Sequence, residues 1–234
     1  MSAQAARLGF TLAEVLITLG IIGIVAALTI PQLISGYKKR VVETKLQKVH
    51  SILSQAVRLS EAENDVAVNW DWPDSVVDEE GRNIFFNKYF KPYIKIVDEE
   101  RTYFNVYKPD GTRDYTEWHT YYKLSDGTFI SFYISYNVHR HIYYASIEVI
   151  LPGTNKDYLI SGKDYFNFQI NVSSDKTAVS VFPSTYGGLT CEGISNNLNY
   201  FVDKCKTATQ GGYYCTALIY CNGWKIPDYY PVRF

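Results

Sequence analysis

Residues 9–34 read GFTLAEVLITLGIIGIVAALTIPQLI, an apolar run interrupted by one carboxylate, Glu14. From Phe10 to Gly36 no other side chain is charged, so the stretch has the length and composition of a membrane-spanning helix of about 20 residues. An acid inside such a segment is unfavourable without a cationic partner and marks a functional position. The span holds no Lys, Arg or His, leaving a lipid headgroup, a second protein or a new α-amino group as partner. Glu14 lies one turn after Phe10, at the positive end of the helix dipole. Cleavage between Gly9 and Phe10 would create an ammonium there, free to pair with Glu14 of its own chain or of a neighbour. Pairing between neighbours is a rule for polymerisation.

Gly9, Phe10, Thr11, Leu12 and Glu14, followed by the apolar run and Pro31, resemble the N-terminal signal of the type IV pilin and type II secretion pseudopilin superfamily. The resemblance implies that Met1 to Gly9 form a leader, removed by a membrane-embedded prepilin peptidase that then methylates the amine of Phe10. It implies that Glu14 is needed for assembly, that the partners are other pilin or pseudopilin subunits and an inner-membrane assembly platform, and that the chain is no enzyme. The location it implies is a single pass through a bacterial inner membrane, with the C-terminal domain outside and later part of a filament. A cleavable secretory signal fits less well, because no small-x-small site follows the apolar run.

Lys38, Lys39 and Arg40 follow the span while Arg7 alone precedes it, and the positive-inside rule taken by itself would keep the C-terminal part in the cytoplasm. Four cysteines in the last quarter, Cys191, Cys205, Cys215 and Cys221, favour an oxidising compartment and hence export. The net charge is −1, and it is again −1 once residues 1–36 are set aside, so no basic footprint for nucleic acid is present.

Beyond the span, Val42, Leu46, Val49, Leu53 and Ala56 recur at four-three-four-three spacing, the mark of one face of an amphipathic helix. A helix from Phe10 to about Ser60 is expected, its first half bare and its second half packed on a domain. Pro31 should kink or loosen it, and Ile34-Ser35-Gly36 offers a break. In the resembled family the region matching Gly20 to Pro31 melts in filaments, and Gly20, Gly23 and Pro31 would permit that here. The expected parts are a leader at 1–9, a transmembrane or filament-core helix at 10–36, its amphipathic continuation at 37–62, and an exported β-rich domain at 63–234.

From Asn64 onward the period shortens. Expected strands are Thr102 to Tyr107, Thr116 to Leu124, Thr128 to Tyr136, Tyr143 to Leu151, Phe166 to Val172 and Ala178 to Phe182. Pro109-Asp110-Gly111, Asp126-Gly127 and Pro152-Gly153 punctuate them, and Asp126-Gly127 gives the clearest hairpin. The expected fold class is α+β and pilin-like: a long N-terminal helix packed on an antiparallel sheet, with a disulfide-bonded C-terminal region.

The end of the chain, from Cys205 through Asn222-Gly223-Trp224-Lys225-Ile226, resembles the ending of many prepilin-type proteins. Four cysteines allow three connectivities that sequence cannot choose between; the nested pairing, Cys205 with Cys215 and Cys191 with Cys221, is favoured because it would staple a loop-rich end against the sheet. Their spacing lacks the close pairs of a zinc site. No cofactor is expected; calcium binding near Asp203 or Asp228 is open, with no recognisable ligand string. His139-Arg140-His141 reads as a sheet edge or turn, and no catalytic fingerprint occurs. The tyrosine pairs Tyr121-Tyr122, Tyr143-Tyr144, Tyr213-Tyr214 and Tyr229-Tyr230 suit sheet positions, an interface or sugar stacking. Two alternatives to a filament subunit are thus a minor pilin acting as a glycan or surface adhesin and a membrane-anchored exported enzyme.

Overall fold

A computed structural model describes residues 11–73, 79–137, 142–155, 157–172, 179–182 and 190–234. The sequence readings at Gly9, Phe10 and His139 to His141 lie outside the described residues. The first element, α1 (Leu12–Asn64), is helical throughout, including Pro31 and the segment Ile34 to Gly36. A single interior glycine costs a helix only about 1 kcal/mol, which explains why Gly36 does not break it. Pro31 removes one main-chain donor and leaves the Ala27 carbonyl without its usual partner.

The chain divides at Arg40/Val41 into two compact units. In the first, the apolar residues of α1 stand exposed on all sides, Leu12, Leu16, Ile24 and Leu28 each by 60% or more. The second begins where the heptad-like stripe begins: Val42, Leu46, Val49, Leu53, Ala56, Val57 and Ser60 are buried. Leu46 and Leu53 are fully enclosed, each contributing roughly 1.5–3 kcal/mol by burial. The helix ends four residues later than expected, at Asn64, where Asp65 takes a left-handed conformation at φ 70°.

Seven strands follow: β1 (Ile96–Tyr107), β2 (Arg113–Leu124), β3 (Phe129–Asn137), β4 (Ile142–Ile150), β5 (Leu159–Ile160), β6 (Tyr165–Val172) and β7 (Val179–Phe182). They form one sheet in the order β5-β1-β2-β3-β4-β6-β7, antiparallel except for the short β1/β5 pair. β1 starts six residues before the expected strand, and the added residues include the exposed charges Asp98, Glu99, Glu100 and Arg101, which carry no apolar alternation. The turn at Asp126-Gly127 joins β2 to β3 with Gly127 at φ 83° and Thr128 N–H donating to Asp126 Oδ1.

Strand alternation gives the sheet two unlike faces. Ile130, Ile134, Ala145, Ile147, Val149, Phe166, Phe168 and Ile170 form a fully buried apolar face. Helix α2 (Glu79–Tyr89) lays Phe86 on Tyr122 and Phe132 there, with ring centroids 4.1 and 4.6 Å apart, and α1 brings His50 against Phe168. The opposite face is aromatic and polar, carrying Tyr121, Ser131, Ser146, Glu148, Tyr165 and Asn167.

The C-terminal end is helical rather than loop-rich: α3 (Cys191–Asn196), α4 (Leu198–Thr207) and α5 (Gly212–Cys221). Seven of the ten residues of α5 are buried and the other three partly so, so it shows no amphipathic period by which the sequence could announce it. Thr216 and Tyr213 of α5 meet the polar face, Tyr213 donating to Ser146 and Thr216 Oγ1 accepting the Asn167 N–H. Cys191 is bonded to Cys221 and Cys205 to Cys215, the nested pairing.

Candidate functional site: an exposed apolar helix with a carboxylate in its first turn

Thr11 and Glu14 form a reciprocal cap. The Thr11 N–H and hydroxyl donate to Glu14 Oε2 at 2.8 and 2.7 Å, and the Glu14 N–H donates back to Thr11 Oγ1 at 3.2 Å. This is a capping box, in which a Thr at the N-cap and a Glu three residues later satisfy each other's orphan donors. The T-x-x-E spacing is legible in the sequence and gives Glu14 a local, uncharged partner in Thr11.

Position along the helix also changes the cost of this acid. Glu14 to Lys38 spans about 36 Å at 1.5 Å per residue, slightly more than a hydrocarbon core of about 30 Å. A span centred between them leaves Glu14 at one interface rather than at the bilayer centre. Within the span, the Thr18 and Thr29 hydroxyls donate to the Val15 and Val25 carbonyls, so neither needs water. A Cβ placed on Gly20 or Gly23 would meet no atom within 4 Å, so the fold of the single chain does not require glycine at either position. Together with Pro31, all three sit on bare helix.

Three polar straps fix the second half of α1 against its own unit. Glu43, buried within the apolar stripe, accepts the Ile226 N–H at Oε1 and Lys225 Nζ at Oε2, both at 2.9 Å. Lys45 and Lys48 both reach Asp126 Oδ2 in the β2/β3 turn, at 2.9 and 3.0 Å. Burial alone would raise the Asp126 carboxyl, but Lys45, the Thr128 N–H and Lys48 together hold it well below the usual carboxylate range. His50 Nε2 lies 3.1 Å from the Val181 carbonyl among the rings of Phe168, Tyr220 and Trp224. Burial lowers the pKa of His50, with a smaller opposing effect from the Val181 carbonyl. Sequence marked Asp126 only as a turn residue and Lys225 and Ile226 only as part of the resembled ending, and it pointed to none of these contacts with α1. An acid at Glu43, next to Val42 within the apolar stripe, was the available signal.

On the polar sheet face, Glu148 collects three phenols: Tyr115 and Tyr165 donate to Oε1 at 3.1 and 2.9 Å and Tyr121 to Oε2 at 2.8 Å. The single proton of Tyr115 is shared between Glu148 and the Tyr165 hydroxyl oxygen beside it. Burial first, then the Glu148 charge, pushes both Tyr115 and Tyr165 well above the usual phenol value. Each carboxylate oxygen is occupied, so Glu148 serves as the shared acceptor that lets a tyrosine-rich sheet face close. Tyr121 and Tyr122 are core residues on opposite faces, and Tyr213 is buried, whereas Tyr229 is 46% exposed. Asp203 accepts the Thr207 hydroxyl within α4, and among the described residues no three His, Cys, Asp or Glu side chains come together as metal ligands.

The molecule is therefore an α+β protein whose N-terminal helix carries one stretch long and apolar enough to cross a membrane. The chain belongs to a family of unknown function, DUF6613, whose model matches residues 32–234. That match takes in the whole sheet unit and leaves out α1 up to Pro31. No curated protein and no solved structure matches the chain.

Proposed function

We propose that this protein is a structural subunit of a type IV pilus-like or type II secretion filament, held in the membrane by the first half of α1 before assembly. The observation that carries the reading is a helix with two characters. Its first half is apolar and exposed on every side with one carboxylate in its first turn, while its second half buries a regular stripe in a folded unit. A soluble protein gains nothing by exposing so much apolar surface; a lipid phase, and then the packed interior of a filament, would cover it.

In this reading prepilin peptidase cuts after Gly9, and the amine of Phe10 pairs with Glu14 of the adjacent subunit during extraction from the membrane. The sheet unit lies on the exported side, where its two disulfides are at home. Of the tyrosine pairs that invited sugar stacking, Tyr121, Tyr122 and Tyr213 are core residues, whereas Tyr229 is 46% exposed. The direct test is intact-mass analysis of the chain from membranes containing the peptidase. A mature species beginning at N-methylated Phe10 is expected, absent when Gly9 is replaced by a bulky residue; a chain that retains Met1 to Gly9 throughout would rule the reading out.

A further inference from the structure

Tyr37-Lys38-Lys39-Arg40 ends the uncharged stretch within a single helical turn. Tyr37, Lys38 and Arg40 are exposed and Lys39 partly so. Successive helix positions are about 100° apart, so these four side chains point around roughly 300° of the circumference. A protein partner meeting α1 from one side would select charges at three- and four-residue spacing along one face. A girdle of consecutive basic residues suits a layer that surrounds the helix on every side. Tyr together with Lys and Arg at the end of an apolar span is also the composition of a membrane–water interface. Lys45 and Lys48, one to two turns further on, lie in the packed half of α1 and both reach Asp126 in the β2/β3 turn.

We propose that Tyr37-Lys38-Lys39-Arg40 binds the anionic phospholipid headgroups of the leaflet at the C-terminal end of the span. The proposal rests on the membrane-spanning reading of α1. About 36 Å separate Lys38 from Glu14, so headgroups holding one end of the helix set the depth of the carboxylate at the other. Attraction of clustered Lys and Arg to anionic lipid acts over a Debye length and weakens with salt. The girdle thus retains the unassembled subunit at a defined depth, and leaving the membrane requires that the lipid contacts be given up.

The test uses the full-length chain reconstituted in phosphatidylcholine liposomes containing a minority of phosphatidylglycerol, with spin-labelled forms of both lipids as probes. Electron spin resonance reads the fraction of each lipid immobilised at the protein. The wild-type chain is expected to prefer phosphatidylglycerol severalfold. Molar salt, or Lys38→Gln with Lys39→Gln and Arg40→Gln, should bring the preference close to unity while the chain still resists carbonate extraction. Equal immobilisation of the two lipids by the wild type, or an unchanged preference in the triple variant, overturns the headgroup anchor and leaves the span standing. A wild-type chain released by carbonate overturns the span and the anchor with it.

Discussion

Glu43 in α1 and Ile226 near the end of the chain share a hydrogen bond of 2.9 Å between a carboxylate oxygen and a backbone N–H, across 183 positions of sequence. This contact ties the C-terminal segment to the amphipathic half of the long helix. Removing the acceptor strands a buried donor, which costs about 1–3 kcal/mol. Glu43→Ala in the detergent-solubilised chain should lower unfolding stability by that amount. Glu43→Gln, which keeps an acceptor, should lose less, and Lys225→Met should lose little because Lys225 is 70% exposed. Chemical denaturation of the three variants checks the order.

Acid should act at two groups on the same strap system. The pKa of His50 is lowered mainly by burial, so its stabilising contribution is complete above the unfolded value near 6.5 and is lost as pH falls from there through the lower folded value. That of Asp126 is held down by Lys45, the Thr128 N–H and Lys48 against the effect of burial, so its contribution is complete above about pH 4 and declines below it. Asp126→Asn should flatten the pH dependence of stability below about pH 4 and leave the His50 limb, which begins near the unfolded value of 6.5, unchanged, as measured by denaturant midpoints at each pH.

The two disulfides should differ in accessibility and in worth. Cys205 and Cys215 are fully buried, whereas Cys191 and Cys221 are only partly so. Graded dithiothreitol followed by alkylation and peptide mass mapping should open Cys191–Cys221 first. Its larger loop of 30 residues, against 10 for Cys205–Cys215, makes it worth about 3–4 kcal/mol in the chain-entropy account. Replacing Cys191 and Cys221 together by Ser should therefore lower the denaturation midpoint clearly.

Glu148 should matter more than any single surface acid. Glu148→Ala removes the shared acceptor of the buried Tyr121 and Tyr165 and the partly buried Tyr115, a loss of roughly 3 kcal/mol or more. Burial, then the Glu148 charge, raises the pKa of Tyr115 and Tyr165. Their contribution is full below the unfolded value near 10 and is lost only as pH rises through the higher folded values. Ultraviolet titration of tyrosinate should show a late fraction in the wild type that ionises together with unfolding.

Much of this architecture could be read from periodicity. The stripe from Val42 to Ala56 placed the packed half of α1, and Asp126-Gly127 placed the β2/β3 turn. The cap at Thr11 and Glu14 was equally visible in the T-x-x-E spacing. What stayed hidden has physical reasons. Helix α5 is buried or partly buried all round and shows no period; the first half of β1 is exposed and charged and carries no apolar alternation; and Trp70, Trp72, Phe85 and Tyr89 build an aromatic core from residues whose spacing alone favours no element. The partners of Glu43, Asp126 and Glu148 lie far away in sequence, where no local pattern reaches.

Glu14 offers the most direct discrimination, because a local cap and an intermolecular charge pair make different demands on it. Glutamine keeps the acceptor that receives the Thr11 N–H but carries no charge. Thr11→Val removes the hydroxyl half of the cap and leaves the charge. The measurement is recovery of assembled filaments from cells expressing each variant, alongside the mass of the processed subunit in the membrane. Thr11→Val should be processed and assembled; Glu14→Gln should be processed, remain in the membrane and be missing from filaments. Wild-type amounts of filament from Glu14→Gln would contradict the pairing of Glu14 with the Phe10 amine.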